Sequence, residues 1–237
     1  MKISGVDVTP GIYPKGGYRD KSSEGLVNRQ RCRETLLIKE VVKRFSFNGA
    51  TILDVGCNCG YWSSIYITKY GAVSMVGVEG RDLFVKQGNL YYWSLGIKDK
   101  GVFIKDNVVE HEYSGSFDFV LCAGILYHVR EHRKLLRKIA QVNKKVLVID
   151  TRVSGLEGED RREPADFCFN SIPETRHSFI PGKKVLLDVL HEFGYHTEII
   201  MPRFKTVAGV DGDDNYNIST VKGIVRPSRR ICIFCEK

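Results

Sequence analysis

A turn bounded by two glycines separates a short apolar run from a helical pattern near residue 56. Residues 52–55 are mostly apolar, the turn runs from Gly56 to Gly60, and the helical pattern begins at Tyr61. Glycine adopts backbone conformations that strain other residues, and it lets a ligand approach the backbone closely. The first residues of a helix add backbone N–H groups that have no partner within the helix. This order of strand, turn and helix predicts a turn that wraps part of a bound molecule.

Apolar runs and helical patterns alternate along most of the chain. Strands are predicted over residues 51–55, 73–78, 101–105, 117–122, 145–150, 197–201 and 230–235. Helices are predicted over residues 23–45, 61–70, 81–95, 130–142 and 183–193. The alternation predicts parallel strands with right-handed crossovers, and strands that are apolar throughout need helices on both faces. We therefore predict a doubly wound, Rossmann-like α/β fold with a seven-stranded, mostly parallel sheet whose last strand is antiparallel.

The 237 residues suit a single domain, which we divide into four parts. Residues 1–22 contain several prolines and glycines and are predicted to form an irregular N-terminal arm. Residues 23–150 form the predicted cofactor-binding half, and residues 179–237 the predicted substrate-side half. Residues 151–178 are polar and net acidic, and they follow the fifth strand on the side where such sheets bind ligands. This segment is predicted to be an insertion or a lid.

Composition limits the class of protein and its compartment. The sequence has no run of 18 apolar residues, which predicts no membrane span, and its first residues lack the apolar core of a signal peptide. We therefore expect a cytoplasmic protein. The seven cysteines are scattered through apolar segments, which predicts buried thiols rather than disulfides. The net charge of +8 predicts either a solvated basic surface or one that attracts phosphate polymers or acidic sugars.

Two classes of cofactor bind at a turn of this kind, dinucleotides and S-adenosylmethionine. A dinucleotide turn reads G-x-G-x-x-G, and its later glycines admit the pyrophosphate and allow close packing of the helix. Asn58 and Tyr61 occupy those positions here, which favours S-adenosylmethionine because that cofactor carries no phosphate. Asp54, just before the turn, is predicted to help hold the ammonium group of the methionine moiety. Glu79, at the end of the second strand, is predicted to accept hydrogen bonds from both ribose hydroxyls.

The loop after the third predicted strand begins with Asp106 and Asn107. In folds of this class that loop lies beside the adenine ring of the cofactor. Either side chain has an oxygen that could accept a hydrogen bond from the adenine amine. We predict an adenine contact from one of the two residues, and the alternative is an ordinary exposed turn.

Residues 54–63, DVGCNCGYWS, and residues 117–129, FDFVLCAGILYHV, carry a family resemblance. The first segment resembles the cofactor motif of class I S-adenosylmethionine-dependent methyltransferases. The second resembles the fourth-strand motif of a branch with tRNA wobble-uridine carboxymethyltransferases and methyltransferases encoded with glycosyltransferases. The resemblance extends over about residues 30–200, and it implies S-adenosylmethionine as methyl donor and methylation of oxygen in many members. On these motifs the cofactor site is assigned to Gly56, Cys57, Asn58, Gly60, Trp62, Cys122 and Ala123.

His128 is the leading candidate for a general base. It follows the fourth strand, where the loop faces the methyl group of the cofactor, and a sugar hydroxyl is a poor nucleophile that gains from a base. The alternative is a histidine that only bonds the backbone and shapes the loop. Tyr127 is predicted to be either a wall of the acceptor pocket or a core residue. Arg176 and His177, at the end of the acidic segment, are predicted to line that pocket.

Asp150 closes the fifth predicted strand, in the region where metal-dependent catechol-type methyltransferases use acidic residues. No Asp-Asn pair accompanies it in this sequence. We therefore expect no metal at the site, and the oligomeric state is left open.

Three functions remain open. The first is O-methylation of a sugar, a glycan end or another small molecule, which suits a compact chain with one insertion. The second is methylation of tRNA or another RNA, for which basic residues would contact phosphates, although the acidic insertion opposes it. The third is a catalytically silent, cofactor-binding partner subunit, which the intact turn and Glu79 disfavour.

Overall fold

The computed structural model describes residues 32–154, 179–200 and 230–237 with their side chains. Elsewhere it describes only backbone strands, at Lys2–Ile3, Val6–Asp7, Arg161–Pro164, residues 177–178, Ser219–Val221 and Ile224–Arg226. The first two of these pair antiparallel, so the beginning of the predicted irregular arm contains a short hairpin. Most of the arm and most of the predicted insertion lie outside the described residues.

Seven strands form the central sheet. They are β1 (Thr51–Val55), β2 (Ser74–Glu79), β3 (Gly101–Lys105), β4 (Phe117–Ala123), β5 (Asn143–Arg152), β6 (His196–Ile200) and β7 (Arg230–Glu236). Their order across the sheet is β6-β7-β5-β4-β1-β2-β3. Strands β1 to β5 pair in parallel, whereas β7 runs antiparallel to both of its neighbours, β5 and β6. The predicted seven-stranded, mostly parallel sheet with an antiparallel last strand is therefore confirmed.

Helices cover both faces of the sheet, as the apolar strands predict. They are α1 (Tyr61–Tyr70), α2 (Asp82–Ser94), α3 (His132–Val142) and α4 (Lys183–Glu192). Leu53 and Val120 pack with α3 and α4 on one face, and their neighbours Ile52 and Phe119 pack with α1 and α2 on the other. Successive side chains of a strand point to opposite faces, so the two cores follow directly from strand sequences that place apolar residues on both faces.

The helix before β1 differs from the one predicted over residues 23–45. Residues 23–31 lie outside the described residues, helical backbone is seen from residue 32, and the wider π-helical turns of Thr35–Glu40 follow. Leu36 and Leu37 are buried in succession against the sheet. The hydroxyl of Tyr66, from α1, donates to the backbone oxygen of Leu37 and ties this helix to its neighbour.

The carboxyl ends of β1 and β4 mark the point where the chain reverses its direction of progress across the sheet. The two strands are adjacent, α1 follows β1 onto one face, and α3 follows β4 onto the other. Open α/β sheets bind ligands in the crevice at such a point. Within the described part of the chain, no helix has the length and apolarity to cross a membrane.

Candidate active site

The turn between β1 and α1 is built from left-handed backbone. Gly56, Asn58 and Gly60 have φ angles of 69°, 52° and 70°. The N–H groups of Gly56 and Cys57 donate to the carbonyl of Val78 at 2.8 and 3.2 Å, which anchors the turn to β2. Asn58 is the one non-glycine residue with positive φ within the described ranges, and its Oδ1 accepts the N–H of Cys59 at 2.8 Å. Asparagine tolerates this conformation because its short side chain bonds the local backbone.

Both glycines also permit contacts with distant segments. A Cβ at Gly56 would lie 2.7 Å from the Cβ of Ile125, and one at Gly60 would lie 2.8 Å from the ring of Phe103. Ile125 belongs to the loop after β4, two residues before Tyr127. The cofactor turn and the loop that carries Tyr127 and His128 are therefore in direct contact.

Asp54, in β1, is buried directly before the turn. It is 3% exposed, and its Oδ2 accepts a hydrogen bond from the Ser63 hydroxyl at 2.5 Å. Burial raises the pKa of Asp54 to about 7, although the Ser63 hydrogen bond opposes that shift, and the negative charge of Glu79 adds to it. The Asp54 carboxyl therefore changes charge near neutral pH.

Glu79 ends β2 with its carboxylate directed at the turn. It is 3% exposed, and its Oε2 accepts the N–H of Asn58 at 3.0 Å. Arg81 encloses the same carboxylate: its N–H and Nε donate to Oε1 at 3.0 and 2.7 Å, and its Nη2 donates to Oε2 at 3.1 Å. Arg81 was not among the predicted site residues, although its position two residues after the predicted ribose-binding acid was a usable signal.

Asp106 and Asn107 begin the loop after β3. The N–H of Asp106 donates to the backbone oxygen of Glu79 at 3.2 Å, which places this loop beside the end of β2. The Asp106 carboxylate contacts His111 Nδ1 at 2.7 Å, a contact that lowers the pKa of Asp106, and Asn107 Oδ1 accepts the N–H of Val109 at 2.9 Å. The loop thus lies beside the carboxyl end of β2, and the adenine contact stays a prediction.

The remaining residues assigned from the motifs differ in how they can reach a ligand. Cys57 and Cys122 are buried, and burial raises the pKa of both thiols. Cys122 lies within β4 and neither its thiol nor its backbone has exposed surface. Ala123 ends β4 and is half-buried, as is Trp62 in the first turn of α1. The Arg33 guanidinium carbon lies 5.5 Å from the Trp62 ring.

His128 lies in a short 3-10 turn, Leu126–His128, between β4 and α3. Its backbone N–H donates to the carbonyl of Ile125 at 2.8 Å, and the centre of its ring lies 4.2 Å from the centre of the Tyr127 ring. The residue is exposed to solvent by its surface area, although many protein atoms surround its ring. Burial lowers the pKa of His128, and the positive charges of Arg81, Arg230 and Arg152 add to this effect. Together they bring the pKa to about 4. The imidazole is therefore uncharged at pH 7.

Asp150, in β5, is fully buried and binds two arginines from distant parts of the chain. Arg230, in β7, donates through Nε and Nη2 to the two carboxylate oxygens at 2.9 and 2.7 Å. Arg33 Nε donates to Oδ2 at 3.0 Å. Among the residues with described side chains, no three potential metal ligands lie together, and the Asp150 carboxylate is engaged by guanidinium groups.

Arg33, Arg152 and Arg230 form what we call the arginine cluster, beside Tyr127. The guanidinium carbons of Arg230 and Arg152 lie 5.5 and 5.9 Å from the Tyr127 ring. Sequence analysis missed this cluster, because its members lie far apart in sequence and follow no motif. Tyr127 is half-buried between these cations and His128, which suits a wall of the site better than the core.

The two residues predicted at the end of the acidic segment are less fully described. Arg176 lies outside the described residues. Only the backbone of His177 is described, in the strand His177–Ile180, which pairs antiparallel with Arg161–Pro164. That strand lies against the Leu126–His128 turn. The end of the predicted insertion is therefore next to the His128 loop.

The residues at the ends of β1 and β2 fit S-adenosylmethionine. Asn58 replaces the glycine that a pyrophosphate needs, and the buried Glu79 carboxylate lies where a ribose would meet β2. Asp54 offers a second buried carboxyl beside the start of α1, suited to an ammonium group. These donor and acceptor types match an amino-acid-bearing nucleoside.

The chain is similar to part of the sequence of several curated proteins. The chain is 30% identical over 174 residues to tRNA U34 carboxymethyltransferase of Helicobacter pylori (strain P12), a match that covers 65% of this chain and 59% of that protein. The same enzyme of Enterobacter sp. (strain 638) is 29% identical over 157 residues, covering 62% of this chain and 45% of that protein. The chain thus spans less than two thirds of the length of these relatives.

Solved structures of methyltransferases share the fold. Magnesium protoporphyrin IX methyltransferase from Synechocystis PCC 6803 with bound SAH superposes with a TM-score of 0.62 at 13% identity, over 95% of this chain and 90% of that one. The N-terminal domain of EvdMO1, with SAH and D-fucose, has a TM-score of 0.59 at 20% identity, over 96% and 89% of the two chains. SAH is the demethylated form of the predicted cofactor, so the cofactor class agrees with the prediction.

A family model described as "Methyltransferase domain" matches residues 29–198. That range contains β1 to β5, the cofactor turn and the His128 loop. It covers well over half of the 237 residues. The chain therefore belongs to the methyltransferase domain family.

Proposed function

We propose that this chain transfers a methyl group from S-adenosylmethionine to a hydroxyl oxygen of a sugar or another small molecule. One observation carries the proposal: the loop with the uncharged His128 ring touches the cofactor turn through Ile125 and Gly56. A ring nitrogen without a proton is thus available beside the predicted cofactor, where an acceptor hydroxyl would need one.

The cofactor, when bound, would supply a methyl group on a positively charged sulfur. The acceptor oxygen would bond to the methyl carbon as the sulfur leaves, in line, as a neutral thioether. The residues of the chain bind and orient the reactants. Glu79 accepts the ribose hydroxyls, and Asp54 holds the ammonium group. His128 accepts the proton that the acceptor hydroxyl loses and passes it to water; its pKa of about 4 keeps the imidazole unprotonated at pH 7 but makes it a weaker base than an ordinary histidine. Positioning accounts for much of the rate enhancement.

The arginine cluster favours an acceptor that carries a negative charge, such as an acidic or phosphorylated sugar. Arg33 and Arg230 donate to the buried Asp150 carboxylate, and the guanidinium groups of Arg230 and Arg152 lie beside the Tyr127 ring. The positive charges of Arg230 and Arg152 lower the pKa of the neighbouring His128, so the potential at that ring is positive. Arginine recognises planar carboxylates and phosphates through paired hydrogen bonds.

RNA is the second candidate acceptor. It is favoured by the relatives, which are named as tRNA U34 carboxymethyltransferases, and by the net charge of +8. An RNA acceptor would contact the protein through several phosphates, and its binding would weaken steeply as salt concentration rises. A small acidic sugar makes one such contact and would show a shallow salt dependence.

The test is incubation of the chain with S-adenosylmethionine labelled in its methyl group and with separated host RNA, glycan and small-metabolite fractions. We expect label in the glycan or metabolite fraction. Label confined to RNA, with steep salt dependence, would replace this proposal with the tRNA one. Bound cofactor with label in no fraction would indicate a silent partner subunit.

The variant His128→Ala tests the role of the imidazole. We expect kcat to fall by roughly 10²–10⁴-fold, the usual contribution of a general base, while the affinity for S-adenosylhomocysteine is unchanged. Kinetics with the labelled acceptor and calorimetry with S-adenosylhomocysteine measure the two effects. Normal turnover in this variant would limit His128 to shaping the loop.

A further inference from the structure

The Glu79 carboxylate has no acceptor position left for a ligand. Its Oε1 accepts the N–H of Arg81 at 3.0 Å and Arg81 Nε at 2.7 Å. Its Oε2 accepts the N–H of Asn58 at 3.0 Å and Arg81 Nη2 at 3.1 Å. A carboxylate offers about four lone-pair positions. All four are filled by the chain itself, so the two ribose hydroxyls assigned to Glu79 must replace two existing donors.

Two of the four donors are backbone N–H groups: that of Asn58, in the turn, and that of Arg81, directly before α2. Moving them would break the turn that holds the cofactor. The other two belong to the Arg81 side chain, which is 31% exposed, whereas the Glu79 side chain is 4% exposed. The guanidinium group is therefore the part that can leave towards solvent.

A second contact holds the guanidinium group over the carboxylate. Its central carbon lies 4.0 Å from the centre of the Phe84 ring, and Phe84 is buried in the first turn of α2. A two-point ion pair and an aromatic face together fix the side chain in one position. Release of Arg81 therefore costs free energy, which cofactor binding has to supply.

We propose that Arg81 competes with the cofactor ribose for Glu79 and thereby sets the affinity for the cofactor. The inference rests on the proposed function through the assignment of Glu79 to the ribose. Nucleoside binding exchanges the two guanidinium hydrogen bonds for two from hydroxyl groups. The affinity therefore reflects only the difference in free energy between the new hydroxyl hydrogen bonds and the guanidinium hydrogen bonds that they replace. A chain without this guanidinium group binds the same nucleoside more tightly.

The competing role and a merely structural role predict opposite changes in affinity. Arg81→Ala leaves the buried carboxylate with only its backbone donors, so the free protein is less stable and has a lower Tm. The same change makes the two acceptor positions of Glu79 that the Arg81 side chain occupied available to the ribose. We expect the Kd for S-adenosylhomocysteine to fall about fivefold, as loss of one partly exposed ion pair predicts. A structural role would lower stability and affinity together.

Arg133→Ala is the matched control. Arg133 also pairs with a glutamate, Glu192, and its guanidinium carbon lies 5.7 Å from the ring of Phe193, but it belongs to α3, away from the turn. Arg81→Gln keeps an N–H donor without the charge and serves if the alanine variant does not fold. Its Kd is expected to fall as well, but by less.

Calorimetry with S-adenosylhomocysteine and thermal unfolding of the free and bound protein give the answer. Tighter binding in the Arg81 variants, with Arg133→Ala equal to the wild type, supports the proposal. Equal or weaker binding in the Arg81 variants overturns it and leaves the proposed cofactor intact. Failure of wild type and Arg81 variants alike to bind would reject the proposed cofactor, and the competition with it.

Discussion

Asp54 and Glu79 are two buried carboxylates in neighbouring strands with unequal sets of partners. Glu79 accepts four N–H groups, whereas the Asp54 side chain accepts one hydroxyl, from Ser63. Burial therefore dominates at Asp54 and raises its pKa to about 7. The native chain holds a proton at Asp54 that the unfolded chain releases near pH 4. This contribution to stability is present below that pH and is lost as the pH rises through 7.

The charge of Asp54 gives a prediction for cofactor binding. Only the ionised carboxylate attracts the ammonium group of S-adenosylhomocysteine, so we expect affinity to rise by up to about tenfold between pH 6 and pH 8 for a pKa near 7. Calorimetry across this range measures the rise, which Asp54→Asn should abolish. His128→Ala should keep it, because the pKa of His128 is about 4. An equal rise in the asparagine variant would assign the titration to another group.

The turn between β1 and α1 shows which properties of an element are encoded locally. Its glycines and the apolar run before it predicted the strand, the turn and the start of α1 at Tyr61, because each depends on neighbouring residues. The contacts of Gly56 with Ile125 and of Gly60 with Phe103 bring in segments more than 40 residues away, and no local pattern encodes them. For the same reason the sequence placed His128 in a loop before the helix predicted over residues 130–142 but did not indicate the 3-10 turn Leu126–His128.

Gly56→Ala tests the tight contact within this element. The left-handed backbone alone costs an alanine about 1–2 kcal/mol, and overlap with the Ile125 side chain should add about 1–3 kcal/mol. Gly115→Ala is the control, since Gly115 has a φ of 81° and nothing within 4 Å of an added Cβ. Chemical denaturation measures both free energies of unfolding. Equal losses would mean that the Ile125 loop moves away at no cost.

At the scale of the whole molecule, Asp150 joins three distant parts of the chain. Arg33 and Arg230 lie 117 and 80 residues from it in sequence, so only the folded sheet brings them together. The sequence indicated the strands that carry Asp150 and Arg230, because apolar runs are local signals. It could not indicate the pairing, since a charged residue at a strand end is ordinarily solvated. The acceptor side was therefore less predictable than the cofactor side.

Removal of the Asp150 carboxylate should be severe. Asp150→Ala removes this anion from the buried Arg230 and the neighbouring Arg33, and we expect the free energy of unfolding to fall by about 3–5 kcal/mol. The control is Asp188→Ala, which breaks an exposed pair with Lys184 and should cost less than about 1 kcal/mol. Chemical denaturation measures both. Similar small losses would show that the arginines find other anions or water.

Because β7 lies between β5 and β6, the strands cannot join the sheet in the order in which they occur along the chain. β7 is the last of the seven strands along the chain, yet β6 has no hydrogen-bonding neighbour in the sheet until β7 lies beside β5. A growing polypeptide can therefore form the nucleoside half early, from β1 to β5, while Asp150 still awaits Arg230. Until that strand inserts, β5 keeps an unpaired edge, and a folding intermediate at this late step would be the form most exposed to chaperones.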